Sequence, residues 1–310
     1  MALTTFAIPP RMKKRRSVTS AGATPYLFLS PAMLLLCAFG LLPILVAAFV
    51  SFTDLNIKGL ANWSNVQFIG IDNYTTLFTD AAFWSAMGNT AIFVVFGVPV
   101  IIGVSLAVAL MLNYSQTRFF RFLRAFYFIP AITAIVAVAL IWGYLYNTQF
   151  GLLNYLLSLV NIPPLQWLSD PTLAKFSVAL VAVWRATGLN IIIFLAALQG
   201  IPRDYLEAAE LDGANSWQRI TRIILPLMRF AIFFVTVTTV ISWLQFFDEP
   251  FVLTEGGPLG ATTSISLFLF LEGFRLNQFG YASAGSLVLF VIIIVATLVQ
   301  LKLRKADDEY

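Results

Sequence analysis

Histidine is missing from the 310 residues altogether, cysteine occurs once, and charged residues make up only 11% of the chain. Each shortage removes a class of function. Without histidine there is no His-based proton relay, no His-ligated metal site and no His-dependent triad. The single cysteine, Cys37, sits in an apolar run, so it forms no intramolecular disulfide and reveals no redox compartment. A phosphate-cradling G-x-x-x-x-G-K-[ST] stretch is also missing, so any nucleotide energy would have to come from a partner. Soluble domains carry about 25% charge. With 59% hydrophobic residues instead, the chain reads as an integral membrane protein.

A bilayer core needs roughly 20 apolar residues per helix, and six windows meet that need: about 26–52, 86–113, 125–146, 174–198, 228–247 and 282–301. The first follows a basic cluster, Arg11, Lys13, Lys14, Arg15 and Arg16, yet it is far longer than the roughly 7 to 15 residues of a signal-peptide core, so it reads as a retained span. Pro31, Pro43, Pro99 and Pro130 fall within or at the edge of windows, where neighbouring helices can satisfy freed carbonyls. No internal repeat and no linker to a soluble domain interrupts the pattern. The expectation is an all-α polytopic protein: a tail over 1–25, a six-helix domain over 26–301 and a second tail over 302–310.

Positive charge sets the orientation. Fifteen of the nineteen Lys and Arg residues fall on one side, in the two tails, around Arg118, Arg121 and Arg124, and between Arg203 and Arg229. Lys58, Lys175 and Arg275 fall on the other, and Arg185 lies inside a window. Both termini are expected in the cytoplasm of a cell bounded by this plasma (inner) membrane. Long, aromatic outer loops at about 53–85, 147–173 and 248–281 are large enough to be docking surfaces.

One cytoplasmic block, EAAELDGANSWQRITRIILP at 207–226, breaks the apolar pattern. Pro202 suits a helix start. Asp204 and Glu207 then place negative charge near the positive end of the dipole, and Gly213 suits a left-handed cap about three turns on. Asn215 and Gln218 have capping-box spacing, so a second helix restarts there. Ala208 and Ala209 provide a face without bulk, while Glu207, Glu210 and Asp212 provide charge. A helix lying on lipid would instead carry large apolar residues opposite Lys or Arg. Docking to a protein is therefore the better reading of the two.

In this order, EAAELDGA with Trp217, Gln218, Ile220, Ile223, Leu225 and Pro226, YLFLSPAMLLL, SFTD, FIGIDNYTTLF, FWSAMGNTAIF, RAFYFIPAI, VWRATGLNIIIFLAALQGIP, FFDEPFVLTEGGPLGATTSISLFLF and FGYASAGSLVLF cover nearly the whole chain. Together they resemble the transmembrane subunits of binding-protein-dependent ABC importers, in the carbohydrate branch similar to the MalF and UgpA type. The resemblance implies a type I importer permease that pairs with a second permease, two ATPase subunits and an extracytoplasmic solute-binding protein. It implies alternating access driven by ATP and Mg held on those ATPases, with no cofactor, metal or catalytic site on this chain and no nucleic-acid partner. The EAA loop, about 200–226, would be the coupling element, through Glu207, Ala208, Ala209, Asp212 and Gly213.

Candidates for the substrate path are the polar residues within the spans. Arg185 is the only formal charge well inside one, so it either faces a partner or aqueous cavity or snorkels outward. Asn190, five residues on, is roughly 140° around the helix, so a straight helix would not aim both into one narrow path unless Gly188 relaxes it. Thr238, Ser242, Gln245 and Glu249 have spacings of 4, 3 and 4 and would share one helical face, flanked by Trp243 and Phe246. That stripe suits a sugar, although Thr and Ser can equally bond their own helix and serve packing. A polyol or glycerol-phosphate importer is the neighbouring alternative. An ion-driven secondary transporter would leave the EAA block unexplained, and a membrane enzyme would lack reactive groups.

Overall fold

A computed structural model describes residues 24–113 and 117–307; the N-terminal basic cluster lies outside them. The chain order is α1 (Pro25–Val50), α2 (Ile57–Ala61), α3 (Asp72–Thr79), α4 (Ala81–Asn113), α5 (Arg118–Ile132), α6 (Ile135–Leu145), α7 (Leu152–Ser158), α8 (Pro171–Gln199) and α9 (Arg203–Leu211). It continues with α10 (Ser216–Leu227), α11 (Arg229–Leu244), α12 (Asp248–Thr254), α13 (Ile265–Phe270) and α14 (Phe279–Asp307). Among the described residues, β pairing is limited to isolated bridges at Thr53–Phe68 and Asn56–Gln278.

Four helices, α1, α4, α8 and α14, are each long and apolar enough to cross a bilayer. The third and fifth expected spans are instead bent pairs, α5 with α6 at 100° and α10 with α11 at 67°. Six spans result only if each pair counts as one. A proline lies two or three residues before each break. Pro130 has no N–H to give its own helix, the backbone turns extended at Thr133, and the Thr133 hydroxyl donates to the Ile129 carbonyl at 2.8 Å. Pro226 acts in the same way before Met228, where the helix breaks, and Arg229 Nε donates to the Pro226 carbonyl at 3.2 Å. Each bend thus satisfies a freed carbonyl from a side chain nearby in sequence.

The described residues up to Val46, which carry most of α1, form a unit of their own. Everything from Ala47 onward is built on the pairing of α4 with α8. Asp170 starts α8 by accepting from the amides of Thr172 at 2.9 Å and Leu173 at 2.8 Å, with Pro171 in the first turn. Small residues let the two helices approach, since lipid supplies no hydrophobic force between spans and packing has to do so. Ser105, Ala109, Ala179 and Ala182 are all buried there. Gly188 lies so close to the Tyr127 carbonyl that a Cβ would collide with it, which brings α5 against α8. Gly97 does the same for α11, because a Cβ there would enter the Trp243 indole. Phe93, Val98, Val178, Val183, Trp243 and Phe246 fill the layer around that contact. A second layer, with Leu112, Phe194, Leu198, Met228 and Val235, lies further along the same helices.

Candidate functional site

Two places carry the residues singled out in the sequence. The first is a hollow of about 250 Å³ within the spans, lined by Ala131, Arg185, Ala186, Leu189, Asn190, Thr238, Thr239, Ser242 and Trp243. On α8 those positions fall at 0°, 40°, 100° and 140° in the order 185, 189, 186 and 190, so the hollow wraps an arc wide enough to take both Arg185 and Asn190. Arg185 and Asn190 share this hollow because it is broad, where a straight helix could not have aimed both into a narrow path.

Arg185 is fixed by acids of α12. Its Nε donates to Glu249 Oε1 at 2.7 Å and its Nη2 to Asp248 Oδ2 at 3.4 Å, with Glu249 only 2% exposed. The guanidinium neither snorkels alone nor stands as an uncompensated charge. Thr238 donates its hydroxyl to its own helix, at the Phe234 and Val235 carbonyls. Among the described residues, the Asn190 amide and the Ser242 hydroxyl line the hollow without an intramolecular hydrogen bond.

The four-residue stripe does not survive as one face. The helix α11 ends at Leu244, three residues before the expected limit, and Gln245 follows at φ −100° and ψ 22°. Glu249 consequently belongs to α12 and turns to Arg185, while Gln245 lines a different groove with Ser266, Ser283 and Ser286. A continuing helix could not have used the Phe246 carbonyl, because Pro250 has no N–H to give it; the Ser264 hydroxyl donates to that carbonyl instead. Trp243 is likewise not an open platform. It is buried, with its ring stacked on Phe246 at 5.1 Å and covered by Gly97.

The second place is α9, between the α8 and α10–α11 spans. It closes in a Schellman motif: Gly213 takes φ +79°, its N–H donates to the Glu210 carbonyl at 3.1 Å, and the Ala214 N–H donates to the Ala209 carbonyl at 2.9 Å. Asn215 and Gln218 form the reciprocal capping box, with both bonds at 2.8 Å. Glu210 also pairs with Arg219 across the turn. The helix is therefore pinned at its C-terminal end by backbone and side chains together. Glu207, Ala208, Glu210, Asp212 and Gly213 are exposed. Ala209 is buried against its own chain, so only Ala208 of the alanine pair supplies the bare face expected of both.

Two residues that the sequence reading passed over, Tyr205 and Leu211, stand on this surface with Trp217, which it named only as part of the resemblance. Tyr205, Leu211 and Trp217 are large and apolar, yet Leu211 is 90% and Trp217 72% exposed. The signal lay in the sequence as apolar residues among charges, but helical spacing alone did not say which way they point. Exposed apolar side chains rimmed by acids mark a contact surface for a protein or a membrane.

Residues 99–306 match the family described as binding-protein-dependent transport system inner membrane component. The chain is 36% identical over 281 residues to the lactose transport system permease protein LacF of Rhizobium radiobacter, covering 89% of this chain and 92% of that one. It is 36% identical over 295 residues to the probable ABC transporter permease protein YesP of Bacillus subtilis (strain 168), covering 94% and 93%. Its fold is similar to a chain in the crystal structure of a bacterial alginate ABC transporter in complex with an alginate pentasaccharide-bound periplasmic protein, with a TM-score of 0.77 and 24% identity over 89% of this chain and 92% of that chain. The chain therefore belongs to the binding-protein-dependent transport system inner membrane components and is a membrane-spanning permease subunit of an ABC importer.

Proposed function

We propose that the chain forms half of a sugar or oligosaccharide path, pairs with a second permease and is driven by two ATPase subunits through α9. The observation that carries this reading is α9 itself. It is an exposed helix, fixed at its C-terminal end, with acids and Leu211 turned outward and with Trp217 exposed just beyond it at the start of α10. A rigid contact of that kind transmits force, whereas a loose loop would absorb it. ATP and Mg sit on the ATPases in this proposal, the extracytoplasmic binding protein docks on the outer loops, and this chain holds no cofactor. The division is a six-helix domain over 26–301 with cytoplasmic tails on either side.

The lactose relative supports a sugar substrate. So does the hollow: Asn190 and Ser242 offer unused hydrogen-bonding groups, and 250 Å³ is below the roughly 300 Å³ at which small-molecule sites begin, as expected if a second permease completes it. Because Asp248 and Glu249 already neutralise Arg185, the guanidinium gives no reason to prefer an anionic solute such as a glycerol-phosphate. A neutral polyhydroxylated substrate fits better. Asn190→Ala and Ser242→Ala are each expected to lower flux about five- to a hundred-fold, the effect of leaving one substrate hydroxyl unpaired at 1 to 3 kcal/mol, with ATPase assembly intact by co-purification. If Gln245→Ala abolishes flux and those two variants do not, the path runs through the Gln245 groove instead.

The orientation has its own test. With Cys37 replaced, a cysteine at the exposed outer position Asn65 is expected to react with an impermeant thiol reagent in intact cells, while one at the exposed position Lys302 stays sealed until the membrane is opened. Labelling of Lys302→Cys from outside would invert the topology and remove α9 from the cytoplasm.

A further inference from the structure

The groove that Gln245 enters lies between the end of α11, α13 and α14, and its volume of about 500 Å³ falls within the roughly 300 to 1,000 Å³ typical of small-molecule sites. Polar groups reach it from all three segments. They are the Gln245 amide, the Ser266 hydroxyl of α13, and the Ser283 and Ser286 hydroxyls of α14. Ser286 donates to the Ala282 carbonyl at 2.8 Å and keeps its acceptor lone pairs. The side chains of Gln245, Ser266 and Ser283 form no hydrogen bond among the described residues. No charged side chain among those residues lines the groove. One wall is aromatic. Phe274 is 70% exposed, yet its ring is set against Phe270 at 5.4 Å between centroids, and Phe270 is itself wedged by Phe247 at 5.2 Å and Phe251 at 5.3 Å. An exposed ring braced in this way offers a fixed apolar platform. Ser242 lines the hollow and Gln245 the groove, three residues on, a rise of about 4.5 Å along a helix.

Convergent amide and hydroxyl groups beside a braced aromatic ring, with no charge, match a polyhydroxylated neutral ring. We propose, resting on the sugar path assigned to the hollow, that this groove is a second sugar subsite: it holds one ring of a neutral oligosaccharide whose neighbouring ring lies in the hollow. Hydroxyls of that ring exchange hydrogen bonds with Gln245, Ser266 and Ser283, and its C–H face packs on Phe274. The chemistry of the lining selects this occupant. A phosphate headgroup would find no cation in the groove. An apolar helix of a second permease would bury three polar side chains without partners, each at a cost.

The test uses the assembled transporter in proteoliposomes, with Cys37 replaced and one cysteine placed at Ser283 or at Ser242. Lactose, maltose, maltotriose and arabinotriose are the probes for ATP-driven uptake, and a hydrophilic methanethiosulfonate labels the thiol, read on peptides of this chain. Ser283→Cys is expected to react. A sugar that is taken up should slow that labelling at least about five-fold at a saturating concentration, the scale of one hydrogen-bonded group, and should protect Ser242→Cys as well. Adding Gln245→Ala and Phe274→Ala together should remove the protection at Ser283→Cys and leave that at Ser242→Cys. Protection of Ser242→Cys alone, without the added changes, overturns the second subsite while the sugar path stands. Protection of Ser283→Cys that persists in the Gln245→Ala/Phe274→Ala background overturns it too, because those side chains would then not hold the ring. So does a Ser283→Cys that never reacts, as expected of a groove filled by a partner helix or by lipid. Uptake of none of the four sugars removes the sugar path itself, and the subsite with it.

Discussion

Replacing Gly213 by valine is expected to abolish transport while leaving the protein inserted and folded. The residue sits at φ +79°, where a β-branched side chain is strained, and that strain is worth about 1 to 3 kcal/mol. Such a cost loosens the end of a nine-residue helix; it is too small to unmake the packed spans. A Cβ at this position would meet no atom of its own chain within 4 Å. The space is thus open to a partner, and the loss of function would come from a displaced turn and a blocked approach rather than from internal collision. Gly213→Asn, which tolerates the left-handed region, should retain much more transport. Glu207→Lys, which reverses an exposed charge on α9, should also uncouple. The measurements are substrate uptake and ATPase co-purification with membrane levels matched. Normal uptake in both Gly213→Val and Glu207→Lys would remove α9 from the coupling path.

Arg185→Ala should be the most destabilising single change in the spans. It would leave Glu249, nearly inaccessible to water, without its only cation, and breaking a buried ion pair from one side costs about 3 to 5 kcal/mol. Glu249→Gln should do less harm, because an amide oxygen can still accept from Arg185 Nε and Asp248 remains to balance the charge. Removing both partners, as Arg185→Met/Glu249→Leu, should recover most of the lost stability, since the penalty belongs to the orphaned charge and not to the missing attraction. Thermal unfolding of the purified transporter in detergent separates these cases. An Arg185→Ala protein as stable as wild type would mean that the pair does not hold α12 to α8.

Legibility followed distance along the chain. The cap at Gly213 and the box of Asn215 with Gln218 could be read in the sequence because donor and acceptor lie within a few residues of each other, and the structure forms both. The apolar windows were equally plain, for the bilayer imposes their length. The end of α11 was not. Spacing alone extends a stripe from Thr238 to Glu249 and overlooks Pro250, which has no N–H for the Phe246 carbonyl; a hydroxyl 18 residues further on donates to that carbonyl instead. Glu249 then finds its cation 64 residues earlier in the chain. Nor could periodicity show that Ala208 and Ala209, neighbours in sequence, would part company at the surface. A helix records which residues share a face and leaves open which face meets its own protein.

The loop between α12 and α13 is tied to α4 along its second half. Asn89 Nδ2 donates to the carbonyls of Gly260 and Thr263, at 2.9 and 3.0 Å, and the Thr90 hydroxyl accepts from the Ile265 amide at 2.8 Å. Ser264, in the same stretch, holds the Phe246 carbonyl, and the Phe246 ring stacks on Trp243, a wall of the hollow. Mechanically this is a train of stiff links with no slack. A displacement of the loop that keeps these bonds must carry Phe246 with it, and the indole cannot stay behind because Gly97 leaves it nowhere else to go. The loop is thus joined, through Ser264, Phe246 and Trp243, to one wall of the hollow.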